Sequence, residues 1–373
     1  MIKEGKVLLD IKVPEVVSSD MEVFYNPYMR ENRDLSLLIL LAYFQGDVRV
    51  CDPMGASGVR LLRMLLETSR VKKAIYNDLS PKAVEFFKEL IKSHNIPQEK
   101  VEIYQEDACL LLRRFRNLDY VDIDPFGSPV PFLESALLPL SRYGILAVSA
   151  TDTSVLSGTY PNTCQRRYSS LPLLSAEFYH EVGIRILIKK VIEEGAKFDF
   201  ALKPLFSYSY RHYFRVFFKK DIGPRRTDQV IKNIGYLLYC DVCLYRQGVF
   251  LEGLRDKCPH CGNRLLWAGP LWLGELWDED LIRKMWEIRG MVEISKETNK
   301  LLKTILKEAK HKSVGFYSAS SIARAFKIGQ VPPMERLLEI FSAERTHFVG
   351  EGFRTSLPHE EVLKRVHELL QGA

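Results

Sequence analysis

Between Val48 and Ala150 short apolar runs alternate with helix-like runs, and this alternation limits the fold more than any other feature of the chain. Val48–Cys51 leads through a Gly-rich turn into a helix over Val59–Glu67. Lys73–Tyr76 leads into a helix over Pro81–His94, and Val101–Tyr104 into a short helix over Ala108–Phe115. Tyr120–Ile123 and Ile145–Ala150 complete the series. Parallel strands need crossovers of a dozen or more residues, usually helical, so the spacing predicts βαβ units with right-handed connections. Phe200–Tyr208 and Tyr213–Lys219, joined by Ser209–His212, read as a hairpin that adds an antiparallel edge. The expected fold class is α/β, a doubly wound Rossmann-like sheet of six or seven strands.

Around this core the periodicity predicts a helix over Leu35–Phe44 capped by Asp34, and a longer one over Glu177–Glu194. Residues 1–34 read as short strands and turns punctuated by Gly5 and Pro14. Pro224 to Asp228 reads as a linker. Beyond it come paired cysteines, the aromatic segment Trp267, Trp272 and Trp277, and helices over Glu279–Lys310, Ala319–Phe326 and Glu360–Leu370. A chain of 373 residues can build two cores. The division expected is 1–223 and 224–373, the second an α/β domain.

Acids stand where the predicted strands end. Asp52 opens the turn Asp52-Pro53-Met54-Gly55-Ala56-Ser57-Gly58, which lacks the third glycine of a dinucleotide fingerprint. A carboxylate there repels a pyrophosphate and receives an ammonium group, which suits S-adenosylmethionine. Asp78 ends the second strand, where it can accept from both ribose hydroxyls. Asp107, before Ala108, ends the third and can accept from an adenine amino group. Open α/β sheets bind ligands at this edge.

The fourth strand ends in Asp122-Ile123-Asp124-Pro125-Phe126-Gly127. An exocyclic base amine is a poor nucleophile because its lone pair is delocalised into the ring. A carboxylate that accepts its N–H bonds favours a pyramidal nitrogen and takes the proton as the methyl arrives. Pro125 stiffens the turn, and Phe126 offers a face on which an extruded base can stack. Asp124 is then the acceptor and Asp122 structural. The pattern predicts a class I methyltransferase that acts on a nucleic-acid amine. Guanine N2 and adenine N6 both fit, as does a zinc-dependent RNA-binding protein with a vestigial cofactor pocket.

Cys240-x2-Cys243 and Cys258-x2-Cys261 have the spacing of a zinc ribbon, closed by four thiolates and therefore structural. It either touches RNA or braces the junction between domains. His260, inside the second knuckle, reads as a bystander. Cys51, Cys109 and Cys164 read as packed core thiols. The net charge of +6 is unevenly placed: Tyr160–Arg226 holds 13 Lys/Arg against 6 Asp/Glu. Arg166-Arg167-Tyr168, Arg211-His212-Tyr213 and Arg225-Arg226 interleave cations with aromatics, which suits phosphate and base contact. A solvated surface accounts for the same charges. No apolar run reaches bilayer length and the start lacks a secretory core, so a cytoplasmic protein is expected, with no membrane and no obligatory protein partner.

The chain resembles the tRNA guanine-26 N2-dimethyltransferases. The resemblance rests on Val23-Phe24-Tyr25-Asn26-Pro27, Asn32-Arg33-Asp34, Ala56-Ser57-Gly58-Val59-Arg60, Asn77-Asp78 and Asp122–Pro129. It continues in Ala150-Thr151-Asp152-Thr153, His180–Leu187 and Arg345-Thr346-His347-Phe348. With four cysteines it is similar to the bacterial, Aquifex-type branch, which also modifies guanine-27. The resemblance implies two methyl transfers to guanine N2 in tRNA, cofactor binding by Arg33 and Arg60, and a base clamp made by Phe24 opposite Phe126. One departure is Pro172-Leu173-Leu174, where the family carries Pro-Leu-Arg.

Overall fold

The computed structural model describes residues 1–11, 21–329 and 331–371. Pro14 lies outside them.

A seven-stranded sheet forms the centre. Its strands are β1 (Val48–Asp52), β2 (Val71–Asn77), β3 (Val101–Tyr104), β4 (Leu118–Ile123), β5 (Leu140–Ala150), β6 (Phe200–Tyr210) and β7 (Tyr213–Ile222). They lie in the order β3-β2-β1-β4-β5-β7-β6. The first five run parallel, and the β6–β7 hairpin closes one edge antiparallel to β5. The expected doubly wound class is therefore present, with strands longer than the apolar runs alone suggest. The order reverses between β1 and β4, which opens a crevice at their carboxyl ends.

Helix Arg30–Tyr43 begins earlier than expected. Asn26 caps a single turn over Pro27–Met29 that runs straight into it. Asp34 is consequently no cap. It is wholly buried, paired with Arg63, and accepts hydrogen bonds from Ser295 N at 2.9 Å and Thr298 Oγ1 at 2.7 Å. The expected linker is also helical, over Pro224–Ile231, with Pro224 at the first position where a missing N–H costs nothing. The long helix expected over Glu279–Lys310 is two, Glu279–Ile288 and Lys296–Glu308. A turn over Arg289–Met291 separates them, and Ser295 caps the second by accepting from Thr298 N at 2.9 Å.

Both of these helices pack on Arg30–Tyr43. One continuous core runs from Val7 to Val366, and a second small core surrounds the cysteines. A two-stranded N-terminal hairpin, Ile2–Glu4 with Val7–Leu9, and two three-stranded antiparallel sheets complete the described chain. One is built on Ile234–Tyr239 between Arg246–Val249 and Leu266–Trp272, the other on Gly352–Thr355 between Tyr317–Ser318 and Ala343–Arg345.

Candidate active site

A cavity of about 640 Å³ lies over the carboxyl ends of β1 to β4. It is lined by Phe24, Arg33, Asp52, Arg60, Asp78, Asp107, Ala108, Asp124 and Phe126, the residues singled out as catalytic or cofactor-binding. Asn26, Asn77, Thr151 and His212 join them.

The Gly-rich turn is folded tightly against β2. Tyr76 stacks on Phe87 with ring centroids 3.9 Å apart and donates its hydroxyl to Ala56 O at 2.6 Å. A Cβ on Gly55 would stand 2.4 Å from the Tyr76 ring, and one on Gly58, at φ +70°, 2.0 Å from Phe87. Only glycine permits this approach at either position. Asn77 fastens three loops together. Its amide donates to Pro53 O at 2.8 Å and to Glu106 O at 2.9 Å, and its oxygen accepts from Glu106 N at 3.1 Å. The sequence shows an asparagine at a strand end, but nothing in it marks this role.

Asp78 accepts from Ala56 N and Ser80 N, each at 2.8 Å. Asp107 caps helix Ala108–Arg114 through Oδ1 alone, which leaves Oδ2 without a partner among the described residues.

The floor is a buried charge network. Arg60 reaches Asp124 with one amino group; with the other it reaches Asp122 at 3.3 Å and Asn32 Oδ1 at 2.6 Å. Its Nε lies 3.8 Å from Asp52. Arg215, on β7, grips Asp122 with both amino groups, at 2.6 and 2.9 Å. Three acids face two arginines, so the floor with all of them ionised keeps one negative charge. Burial pushes Asp52 up to about 7, against the pull of Arg60 and with the help of Asp122. Burial also works against Asp122, but Arg215 and Arg60 hold it below the usual carboxylate range. Asp122 is 1% exposed and does not line the cavity, in keeping with a structural role.

Arg33 is anchored differently. Glu4, from the N-terminal hairpin, accepts from its Nε and Nη2, both at 2.6 Å, and Asn26 O accepts from Nη2 at 3.1 Å. Nη1 has no hydrogen-bond partner among the described residues.

Over the cavity mouth, Phe24 and Phe126 meet edge to face, with centroids 4.7 Å apart and planes at 81°. Phe126 is 62% exposed. Behind it the turn is clasped to the end of β5: Gly127 N donates to Thr151 Oγ1 at 2.6 Å and Thr151 N to Gly127 O at 3.0 Å. Ser128 then meets the Tyr168 hydroxyl at 2.8 Å, which donates to Asp152 at 2.8 Å.

In the interleaved basic runs the arginines are exposed but the tyrosine rings of the same runs are not. Tyr168 and Tyr213 are both fully buried. Arg167 pairs with Asp152 and Arg226 with Asp221. Among the isolated thiols Cys51 and Cys164 are buried, but Cys109 is only half-buried because it sits in the short helix at the sheet edge. His180 is partly buried between Tyr179 and Phe214. The adjacent Glu181 is buried and pairs with Arg185 and Arg354. Leu174, at the departure from the family pattern, is 52% exposed.

The four cysteines converge. Their sulfur atoms lie within 4.8 Å of one another, two pairs at 3.5 Å. A zinc ion bound at about 2.3 Å by four thiolates sets sulfurs about 3.8 Å apart, so the cluster fits tetrahedral zinc. In each knuckle the residue after the second cysteine is left-handed, Leu244 at φ +63° and Gly262 at φ +73°. The ribbon is fixed to the larger body: Arg185 donates to Trp272 O and Gly274 O at 3.0 and 2.8 Å, and Arg246 pairs with Glu177 at 2.8 Å. Among the described residues no helix is long and apolar enough to cross a membrane.

A family model described as N2,N2-dimethylguanosine tRNA methyltransferase matches residues 5–367. A tRNA (guanine(26)-N(2)/guanine(27)-N(2))-dimethyltransferase of Aquifex aeolicus is 49% identical over 99% of this chain and 96% of its own. A tRNA (guanine(26)-N(2))-dimethyltransferase of Methanobrevibacter smithii is 38% identical over the same shares. Among solved structures, Trm1 from Pyrococcus horikoshii in complex with S-adenosyl-L-methionine superposes with a TM-score of 0.86 at 32% identity, covering 98% of both chains.

Proposed function

Because the chain belongs to the N2,N2-dimethylguanosine tRNA methyltransferase family, we propose that it transfers two methyl groups from S-adenosylmethionine to N2 of guanine-26 in tRNA. The observation that carries this reading is the convergence of four strand-end acids and two aromatic rings on one cavity. Guanine-27 is the second position, favoured by 49% identity to the relative named for both sites against 38% to one named for guanine-26 alone.

The cofactor supplies an electrophilic methyl group and carries one net positive charge, which suits the residual negative charge of the floor. Asp78 and the free oxygen of Asp107 receive the ribose hydroxyls and the adenine amino group, with Ala108 beneath. Asp52 receives the ammonium group. Arg33 offers its unpaired Nη1 to the cofactor carboxylate, and Arg60 braces Asp52 and Asp124 beside it. Phe24 and Phe126 part to take the guanine between them. Asp124 then accepts an N–H of the exocyclic amine and removes the proton as the methyl arrives. Residues 1–223 form the catalytic region, and 224–373, with zinc held by Cys240, Cys243, Cys258 and Cys261, binds tRNA. The enzyme works in the cytoplasm, without an obligatory protein partner.

Incubation of the purified protein with unmodified tRNA and labelled methyl donor, followed by nucleoside analysis, tests the reading. N2-methyl- and N2,N2-dimethylguanosine are expected. Labelled N6-methyladenosine, or no labelled nucleoside, would overturn it.

A further inference from the structure

Ala150, the last residue of β5, pairs with Phe214, so the tip of the β6–β7 hairpin stands just beyond, beside Thr151 and the cavity mouth. The tip is the two residues Arg211 and His212, between the paired Tyr210 and Tyr213. His212 lines the cavity. Arg211 is exposed, makes no salt bridge among the described residues, and has φ +51°, a left-handed conformation that disfavours any residue with a Cβ. Its guanidinium carbon lies 4.8 Å above the ring of Tyr28 and 5.4 Å from that of Tyr210. Tyr28 comes from the turn after Asn26, itself a cavity residue, and is 50% exposed.

Two elements far apart in sequence thus place an arginine that makes no salt bridge among the described residues against a half-exposed aromatic ring, each adjoining residues that line the cavity. An extruded base drags its own backbone to the pocket edge, so the phosphate and base of the adjoining nucleotide must lie on that rim. A guanidinium over one side of a half-exposed ring meets both, the cation by charge and the ring by stacking on the surface it leaves open.

We propose that Tyr28, Arg211 and His212 form the subsite for the nucleotide next to the target guanine, with Arg211 on its phosphate and Tyr28 available to its base. This rests on the tRNA-methylating reading, and it assigns to the rim a share of tRNA binding separate from that of residues 224–373.

The test compares the parent enzyme with Tyr28→Ala and Arg211→Gly in steady-state methylation of unmodified tRNA over a range of salt. Glycine suits the left-handed φ, so Arg211→Gly is expected to melt no lower than the parent. Each variant is expected to raise KM for tRNA about tenfold, with a far smaller effect on kcat and unchanged S-adenosylmethionine affinity. In Arg211→Gly the dependence of log(kcat/KM) on log salt is expected to flatten by about 0.7–1. Unchanged KM and salt dependence would overturn the subsite. So would a raised KM accompanied by lower melting temperature and weaker cofactor binding, which marks a structural role. A parent enzyme that methylates no tRNA would instead overturn the functional reading beneath it.

Discussion

Arg60 holds Asp124 from below, reaching it from the first turn of the helix that follows the Gly-rich loop. The same guanidinium contacts Asp122 and Asp52, so the acid proposed to meet the substrate is positioned from the cofactor side of the site. Asp124→Ala should therefore lose turnover by about 10²–10⁴ while tRNA and S-adenosylmethionine still bind. Single-turnover methylation alongside calorimetric titration checks both halves, and full activity would remove Asp124 from the mechanism.

Arg215 and Asp122 form the best-buried pair in the floor, at 0% and 1% side-chain exposure. Removal of one partner strands a charge in the interior. Arg215→Ala should cost about 3–5 kcal/mol of stability, measured by urea unfolding. A loss below about 1 kcal/mol would mean that the network contributes little to the fold.

Asp52 gives the site a pH dependence of known sign. Its folded value of about 7 lies above the ordinary 3.8, so between those limits the folded protein holds a proton that the unfolded chain has released. From this group alone, stability is greatest below about pH 4 and falls as pH rises to about 7. The ionised form, populated above that range, is the one that receives an ammonium group. Asp52→Asn should be the more stable protein at about pH 8 and yet bind cofactor more weakly, with a flatter pH dependence. Melting curves and titrations at about pH 6 and about pH 8 would show it; equal cofactor affinity in the two proteins would refute the assignment.

Zinc should sit in the four-cysteine cluster at one ion per chain, and Cys243→Ser should lose it. The ribbon should then melt at lower temperature, since a structural zinc site contributes directly to folding. Cofactor affinity should stay within about twofold of the parent, because the cavity is lined by residues from Phe24 to His212. Metal analysis, thermal melting and titration separate the two effects.

The sheet was legible because alternation and strand-end acids are local signals, and Asp52, Asp78, Asp107 and Asp124 all line one cavity. What holds these acids in place was not legible. Glu4 falls in a segment that reads only as short strands and turns, yet it anchors Arg33 and Arg63 from 29 and 59 positions away. Arg215 interrupts the apolar run Tyr213–Phe218, and its partner lies 93 positions earlier. Periodicity does not encode such distances. Phe24 and Arg33 entered through family resemblance alone, for the same reason. Local signals also misled: Asp34 has the residue type of a cap, but its carboxylate turns inward to helix Lys296–Glu308.

That inward turn of Asp34 has a consequence for anyone who would divide this protein. Ser295 and Thr298 complete a carboxylate that the other half of the chain has already buried, and helices Glu279–Ile288 and Lys296–Glu308 cover the outer face of Arg30–Tyr43. A fragment ending near residue 223 would expose that face and leave the acid short of two donors. A chimera that exchanges the C-terminal half with a relative would have to carry a matching Arg30–Tyr43 helix with it. The two halves can specialise, but they must be inherited together.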